Sequence, residues 1–248
     1  MGDDDARSQA LSASPDPVVA RTPVLLILDT DGAMCSRTED GEGNLQSRIE
    51  QINAGLQEFK TALCDDFETA SRTDIAVVTF GGDVTIEHGF TNVNHWDPPT
   101  LSAGGTIPMV EALCESAHHL EEYQKELQAA HVPYRPAFVW LAAGGPPTDA
   151  VSERWETAKE IVNAGTRNEE FWFYTSSIER ENEIDALAEL QSVASNHGKA
   201  RPLRSERGDI RSYFAVAAEA VRRQINGYTA SDRVRRESAD VADDVQDF

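Results

Sequence analysis

Residues 25–34 read LLILDTDGAM. An apolar run ends in two carboxylates one residue apart, Asp29 and Asp31, and then a glycine. Two chemistries use carboxylates placed in this way. In one, the first attacks phosphorus as a nucleophile and the second protonates the leaving group. In the other, carboxylate and hydroxyl oxygens gather around a hard divalent cation such as Mg²⁺. A plain alternative stands beside both: the two aspartates cap a loop between a strand and a helix.

The elements that must hold this loop alternate along the chain. PVLLILD (23–29) is the continuous apolar run of a central parallel strand buried on both faces. Leu45, Ile49, Ile52, Leu56, Phe59 and Leu63 share one stripe of a helix expected to start near residue 43. TDIAVVTF (73–80), a GGD turn and VTIEHGF (84–90) predict an antiparallel hairpin at a sheet edge. A long helix then carries Ile107, Val110, Cys114, Ala117, Leu120 and Leu127. AFVWLAA (137–143) and FWFYT (171–175) are further strands, with a helix between them marked by Val151, Trp155, Ala158 and Val162. A helix near 182–195, a short strand near 199–204 and a final helix through Ile210, Phe214, Ala217, Val221 and Ile225 complete the series.

This order predicts an α/β fold: a doubly wound, mostly parallel sheet with one antiparallel edge strand and helices on both faces. In such sheets the ligand crevice lies beyond the C-terminal ends of the strands. Three loops belong there: DTDGA after the first strand, SAGGT before the long helix and AAGGPPTD after the strand at 137–143.

Composition narrows the function. The 248 residues carry 43 Asp and Glu against 22 Lys and Arg, a net charge of -21. That charge opposes binding to nucleic acid or to an anionic membrane and favours basic partners. The pairs Arg222-Arg223 and Arg235-Arg236 are too short to make a nucleic-acid patch. Cys35, Cys64 and Cys114 show no CxxC spacing, so a disulfide framework is not expected and a reducing cytoplasm is. No apolar run approaches the ~20 residues of a membrane span. Residues 1–21 and 229–248 are polar and aperiodic and are expected to be disordered tails around one domain at 22–228. His118-His119 are expected to be solvated, and no Cys or His spacing suggests zinc.

The opening of LLILDTDGAM resembles a phosphohydrolase of the haloacid dehalogenase type, with Asp29 as nucleophile and Asp31 as general acid. Thr79 would supply that family's strand-end hydroxyl. The remaining parts are missing. Lys125 and Lys159 fall mid-helix, residue 33 is Ala, and Gly144-Gly145-Pro146-Pro147 stands where an acidic pair would hold magnesium.

Taken together, the three loops resemble another family. DTDGAM (29–34) matches an opening DTSGSM, AGGTIP (103–108) matches SGGTP, and LAAGGPPTD (141–149) matches LLTDGEPTD without a gap. With TFGGDV (79–84), WDPPTLSAGGT (96–106) and the PLR…DIRSYF segment (202–214), the chain over about 22–226 resembles the von Willebrand factor A domain, in its bacterial tellurium-resistance-associated branch. The resemblance implies a non-catalytic adaptor or scaffold, in a tellurium-resistance or stress-response system, that recognises a protein partner at a metal-ion-dependent adhesion site.

The departures weaken that site. Asp29 keeps the first aspartate and Thr106 the distant threonine. Asp31 and Ala33 replace serines, Gly144 replaces the second aspartate and Ala143 the threonine before it. The ligand set that remains is Asp29, Asp31 and Thr106, with cofactors expected to be none or a weakly bound Mg²⁺. Without an ion, the two carboxylates repel unless backbone N–H groups compensate. Contact candidates for a partner, expected to be basic, are Asp29, Asp31, Trp96, Thr106 and Pro146, with packing in the core the competing reading for Trp96. A third reading is a structural subunit of a larger bacterial assembly that uses the fold only for packing.

Overall fold

The computed structural model describes residues 19–39, 42–178, 184–203 and 209–243. In chain order the strands are β1 (Thr22–Asp29), β2 (Arg37–Glu39), β3 (Leu45–Ser47), β4 (Thr73–Gly81), β5 (Asp83–Asn92), β6 (Ala137–Ala143), β7 (Phe171–Ser177) and β8 (Ala200–Pro202). The helices are α1 (Arg48–Cys64), α2 (Phe67–Arg72), α3 (Met109–Ala129), α4 (Ser152–Arg167), α5 (Asp185–Ser195) and α6 (Ile210–Asp243).

β1 is buried along its whole length and pairs in parallel with β4 on one side and β6 on the other. The main sheet has the order β5-β4-β1-β6-β7-β8, and β5 alone is antiparallel to its neighbour. This is the doubly wound, mostly parallel α/β architecture. Alternation along β1 divides the core. Val24, Leu26 and Leu28 face the layer of α1 and α6, with Trp140 and Phe214 in edge-to-face contact. Leu25 and Ile27 face the layer of α3, α4 and α5. Among the described residues no helix is long and apolar enough to cross a membrane.

Several boundaries differ from expectation, each for a local reason. The first helix starts at Arg48, not near 43. Ser47 accepts from the Glu50 N–H while the Glu50 side chain accepts from the Ser47 N–H, a reciprocal capping box. Residues 45–47 pair instead with 37–39 in a two-stranded hairpin, and Gln51 Nε2 donates to Thr38 Oγ1 at 2.9 Å to hold it down. At the other end, α6 continues to Asp243, past the expected boundary at 228. The stretch 229–243 contains neither proline nor glycine to stop a helix. Arg21, assigned to the N-terminal tail, is part of the fold: its guanidinium pairs with Asp74 and its N–H donates to Pro133 O at 2.8 Å. The remainder of the expected tails (1–18 and 244–248) and part of the 202–214 motif (204–208) lie outside the described residues. His119 is half-buried rather than solvated, its ring stacked 5.2 Å from Phe90.

Candidate functional site

β1 delivers Asp29 to the C-terminal edge of the sheet, where its side chain is fully buried. Oδ1 accepts from the Asp31 N–H at 2.9 Å and Oδ2 from the Gly144 N–H at 2.8 Å. Backbone donors from two loops thus answer the charge. Burial pushes the Asp29 carboxyl up to about 6; the two N–H groups pull it down, Asp31 raises it and Arg48, at the start of α1, lowers it. Asp31, 9% exposed, turns its Oδ1 back onto the Ala33 N–H at 3.1 Å and caps the 3-10 turn Gly32–Cys35.

The other loops are stitched to this one through the backbone. Gly104 N donates to Thr30 O at 2.8 Å, Gly32 N to Gly105 O at 3.2 Å, and Gly82 N, at the β4–β5 turn, to Thr106 O at 2.9 Å. Gly105 has φ +77°, and a Cβ there would overlap the Gly82 backbone, so only glycine lets the two turns touch. Thr106 itself is exposed, as is Pro146. The loop after β6 is anchored at its far end, where Thr148 N donates to Ile107 O at 2.9 Å.

Trp96 does not belong to this surface. Its side chain is fully buried in the core cluster beneath α1 and α6, so it offers nothing to a partner. The WDPP loop folds the indole inward because its large apolar area gains more from the core than from solvent.

The structure also assigns roles that pattern reading missed. Asp149 accepts from the Val110 N–H at 3.1 Å and the Glu111 N–H at 2.9 Å, capping α3, whose own N-cap residue Pro108 makes no side-chain cap. The missing cap at Pro108 was the available signal. Met34 is fully buried, and its methyl group lies where a Cβ on residue 144 would stand.

The donor set does not fit a divalent ion of the adhesion-site kind. Gly144 brings no carboxylate, Met34 fills the space one would need, and Asp29 is held by two backbone donors. Among the described residues, no three His, Cys, Asp or Glu side chains gather where they could hold a metal. The phosphohydrolase parts do not assemble either. Asp29 has no exposed surface for in-line attack, Thr79 donates to Glu87 at 2.9 Å, and Lys125 and Lys159 are paired with glutamates on helices.

No protein-family model matches the chain, and no curated protein matches it. Solved structures do. The PilB minor pilin from Streptococcus sanguinis superposes with a TM-score of 0.55 at 11% identity, over 83% of this chain and 62% of that one. The von Willebrand domain of the type V pili tip protein Mfa5 from Porphyromonas gingivalis gives 0.53 at 9%, over 84% and 97%. A von Willebrand factor type A protein from Catenulispora acidiphila gives 0.52 at 12%, over 83% and 42%. At these identities the likeness is one of fold, and the chain spans less than two thirds of the pilin's length.

Proposed function

We propose that the chain is a non-catalytic protein-binding module, an adaptor or scaffold of von Willebrand A type, which recognises its partner at the strand-end crevice without a resident metal. One observation carries this reading: backbone N–H groups of Asp31 and Gly144 hold the Asp29 carboxylate, the part an ion plays in an adhesion site. Asp29 is then a framework residue that fixes the loops. The surface offered to a partner consists of Thr106, Pro146 and the edge of Asp31. The net charge of -21 and the carboxylate of Asp31 favour a lysine or arginine on that partner. The setting we infer, from the motif resemblance and the cysteine pattern, is a bacterial tellurium-resistance or stress-response system in the cytoplasm.

Affinity capture from bacterial lysate, run in parallel with Asp31→Lys, tests the reading. The partner is expected on the wild-type column and absent from the variant. Equal capture by both would move recognition away from the crevice. Hydrolysis of a generic phosphate ester by the wild type, lost in Asp29→Asn, would overturn the non-catalytic assignment.

A further inference from the structure

β5 closes one edge of the main sheet, and β4 is its one strand neighbour among the described residues. Its ladder is irregular: the register shifts between Ile75 and Val77 and again between Val77 and Val78. A bulge interrupts the even run of backbone bonds, so side chains carry more of the hold on this strand. On the α3 side that hold is aromatic. Phe90 lies against two rings one turn apart on α3: Tyr123, at 4.2 Å between centroids and 10° from parallel, and His119, at 5.2 Å and 20°.

The two rings differ in what fixes them. The Tyr123 hydroxyl donates to Asp74 Oδ2 at 2.8 Å, and Asp74 also pairs with Arg21. His119 Nε2 is closed off from solvent and has no hydrogen-bond partner. It meets β5 at Gly89, where a Cβ would stand 4.0 Å from that nitrogen. A neutral imidazole keeps one ring nitrogen free of hydrogen, whereas an imidazolium carries N–H at both. A buried cationic donor with no acceptor is costly. Burial therefore holds the His119 ring below its ordinary 6.5; Glu126 pulls it up and His118 pushes it further down.

The other charged groups nearby are placed elsewhere. On α3, Glu115, Glu122 and Glu126 are exposed. On β5, Glu87 accepts from Thr79 Oγ1 at 2.9 Å, Asp83 is exposed at the turn, and His88 pairs with Val77, which belongs to the α1–α6 side of the sheet. Asp74 of β4 and Arg21 bind one another and Tyr123.

We propose that the His119–Phe90 contact is an acid-sensitive latch on the edge strand: a proton on His119 turns its ring out to solvent, and residues 84–91 loosen from α3 and β4 while the rest of the sheet stays folded. The open state takes the proton more readily than the closed one. The latch is thus fully closed above about pH 6.5 and weakens as pH falls below it. Asp29, raised by burial, shifts stability in the opposite sense, so the two responses are separable.

Amide hydrogen exchange of the full chain between about pH 7 and pH 5, corrected for the chemical exchange rate, tests the latch. Opening of residues 84–91 is expected to rise by up to about tenfold per pH unit as acid is added, while β1 and β6 keep their protection. His119→Phe keeps a stacked ring that cannot titrate; it should remove the acid response and leave neutral protection unchanged. Phe90→Ala should open the same segment at both ends of the pH range. On the wild type, the His119 ring signal should titrate below the ordinary 6.5. Acid opening that is absent, or equal in wild type and His119→Phe, would overturn the assignment. So would a His119 inflection at or above 6.5, or unchanged protection in Phe90→Ala.

Discussion

The methyl group of Met34 occupies the space that a side chain on residue 144 would need, so Gly144 and Met34 exclude one another's enlargement. Overfilling a packed site typically costs about 1–3 kcal/mol. Gly144→Asp is therefore expected to lower the midpoint of chemical denaturation without creating Mg²⁺ affinity. Adding Met34→Ala should recover most of that loss. Only the full set Met34→Ala, Gly144→Asp, Asp31→Ser and Ala33→Ser restores room and donors together, and calorimetry with Mg²⁺ should register heat for that variant alone. Heat of binding from the wild type would contradict the metal-free reading.

Asp29 makes stability depend on pH in a definite direction. Its folded value of about 6 lies above the ordinary 3.8, so the folded state holds the proton more firmly than the unfolded chain. Its contribution is greatest below about pH 4 and is lost as pH rises through 6. The gap of about 2 units corresponds to at most about 3 kcal/mol at ~1.4 kcal/mol per unit. In Asp29→Asn this dependence disappears, but one of the two backbone donors faces an amide NH₂, which costs roughly 1–3 kcal/mol. The variant should then be close to wild type at pH 7 and clearly less stable at pH 4. Urea denaturation of both proteins across that range gives the difference directly. A difference independent of pH would mean that Asp29 keeps its ordinary titration.

Asp149 joins the loop after β6 to the start of α3 by accepting from two N–H groups about forty positions earlier. Loss of a helix cap costs about 1 kcal/mol, and the loop loses its anchor as well. Asp149→Ala is expected to destabilise by about 1–2 kcal/mol and to speed hydrogen exchange at Val110 and Glu111. Asp149→Asn, which keeps one acceptor, should recover part of both effects. Unchanged exchange at those two amides would remove the capping role.

Legibility in the sequence followed the range of the interactions. The four inner strands of the main sheet, β1, β4, β6 and β7, announced themselves, because burial on two faces requires an apolar run such as LLIL in β1, and the exposed edge strand β5 followed from the GGD turn before it. The junctions of the loops were legible as motifs, since glycines such as Gly105 stand where backbone must touch backbone. The hairpin of β2 and β3 was not, because three-residue strands are too short for a period, although the Ser47–Glu50 pair signalled the true helix start. What Met34, Asp149 and Trp96 touch depends on segments distant in sequence, and no local pattern encodes such contacts.

Trp96 separates a core role from a contact role most cleanly. A fully buried indole removed to alanine costs about 3–5 kcal/mol, through lost transfer energy and the cavity left behind. Its Nε1 has no hydrogen-bond partner, so replacing the indole with a phenyl ring forfeits packing but no polar contact. Trp96→Phe should therefore cost much less than Trp96→Ala, and neither should change affinity for the crevice partner once folding is complete. Denaturation midpoints and partner capture, measured on the same two variants, check both halves. Weakened capture by a stably folded Trp96→Phe would return this residue to the binding surface.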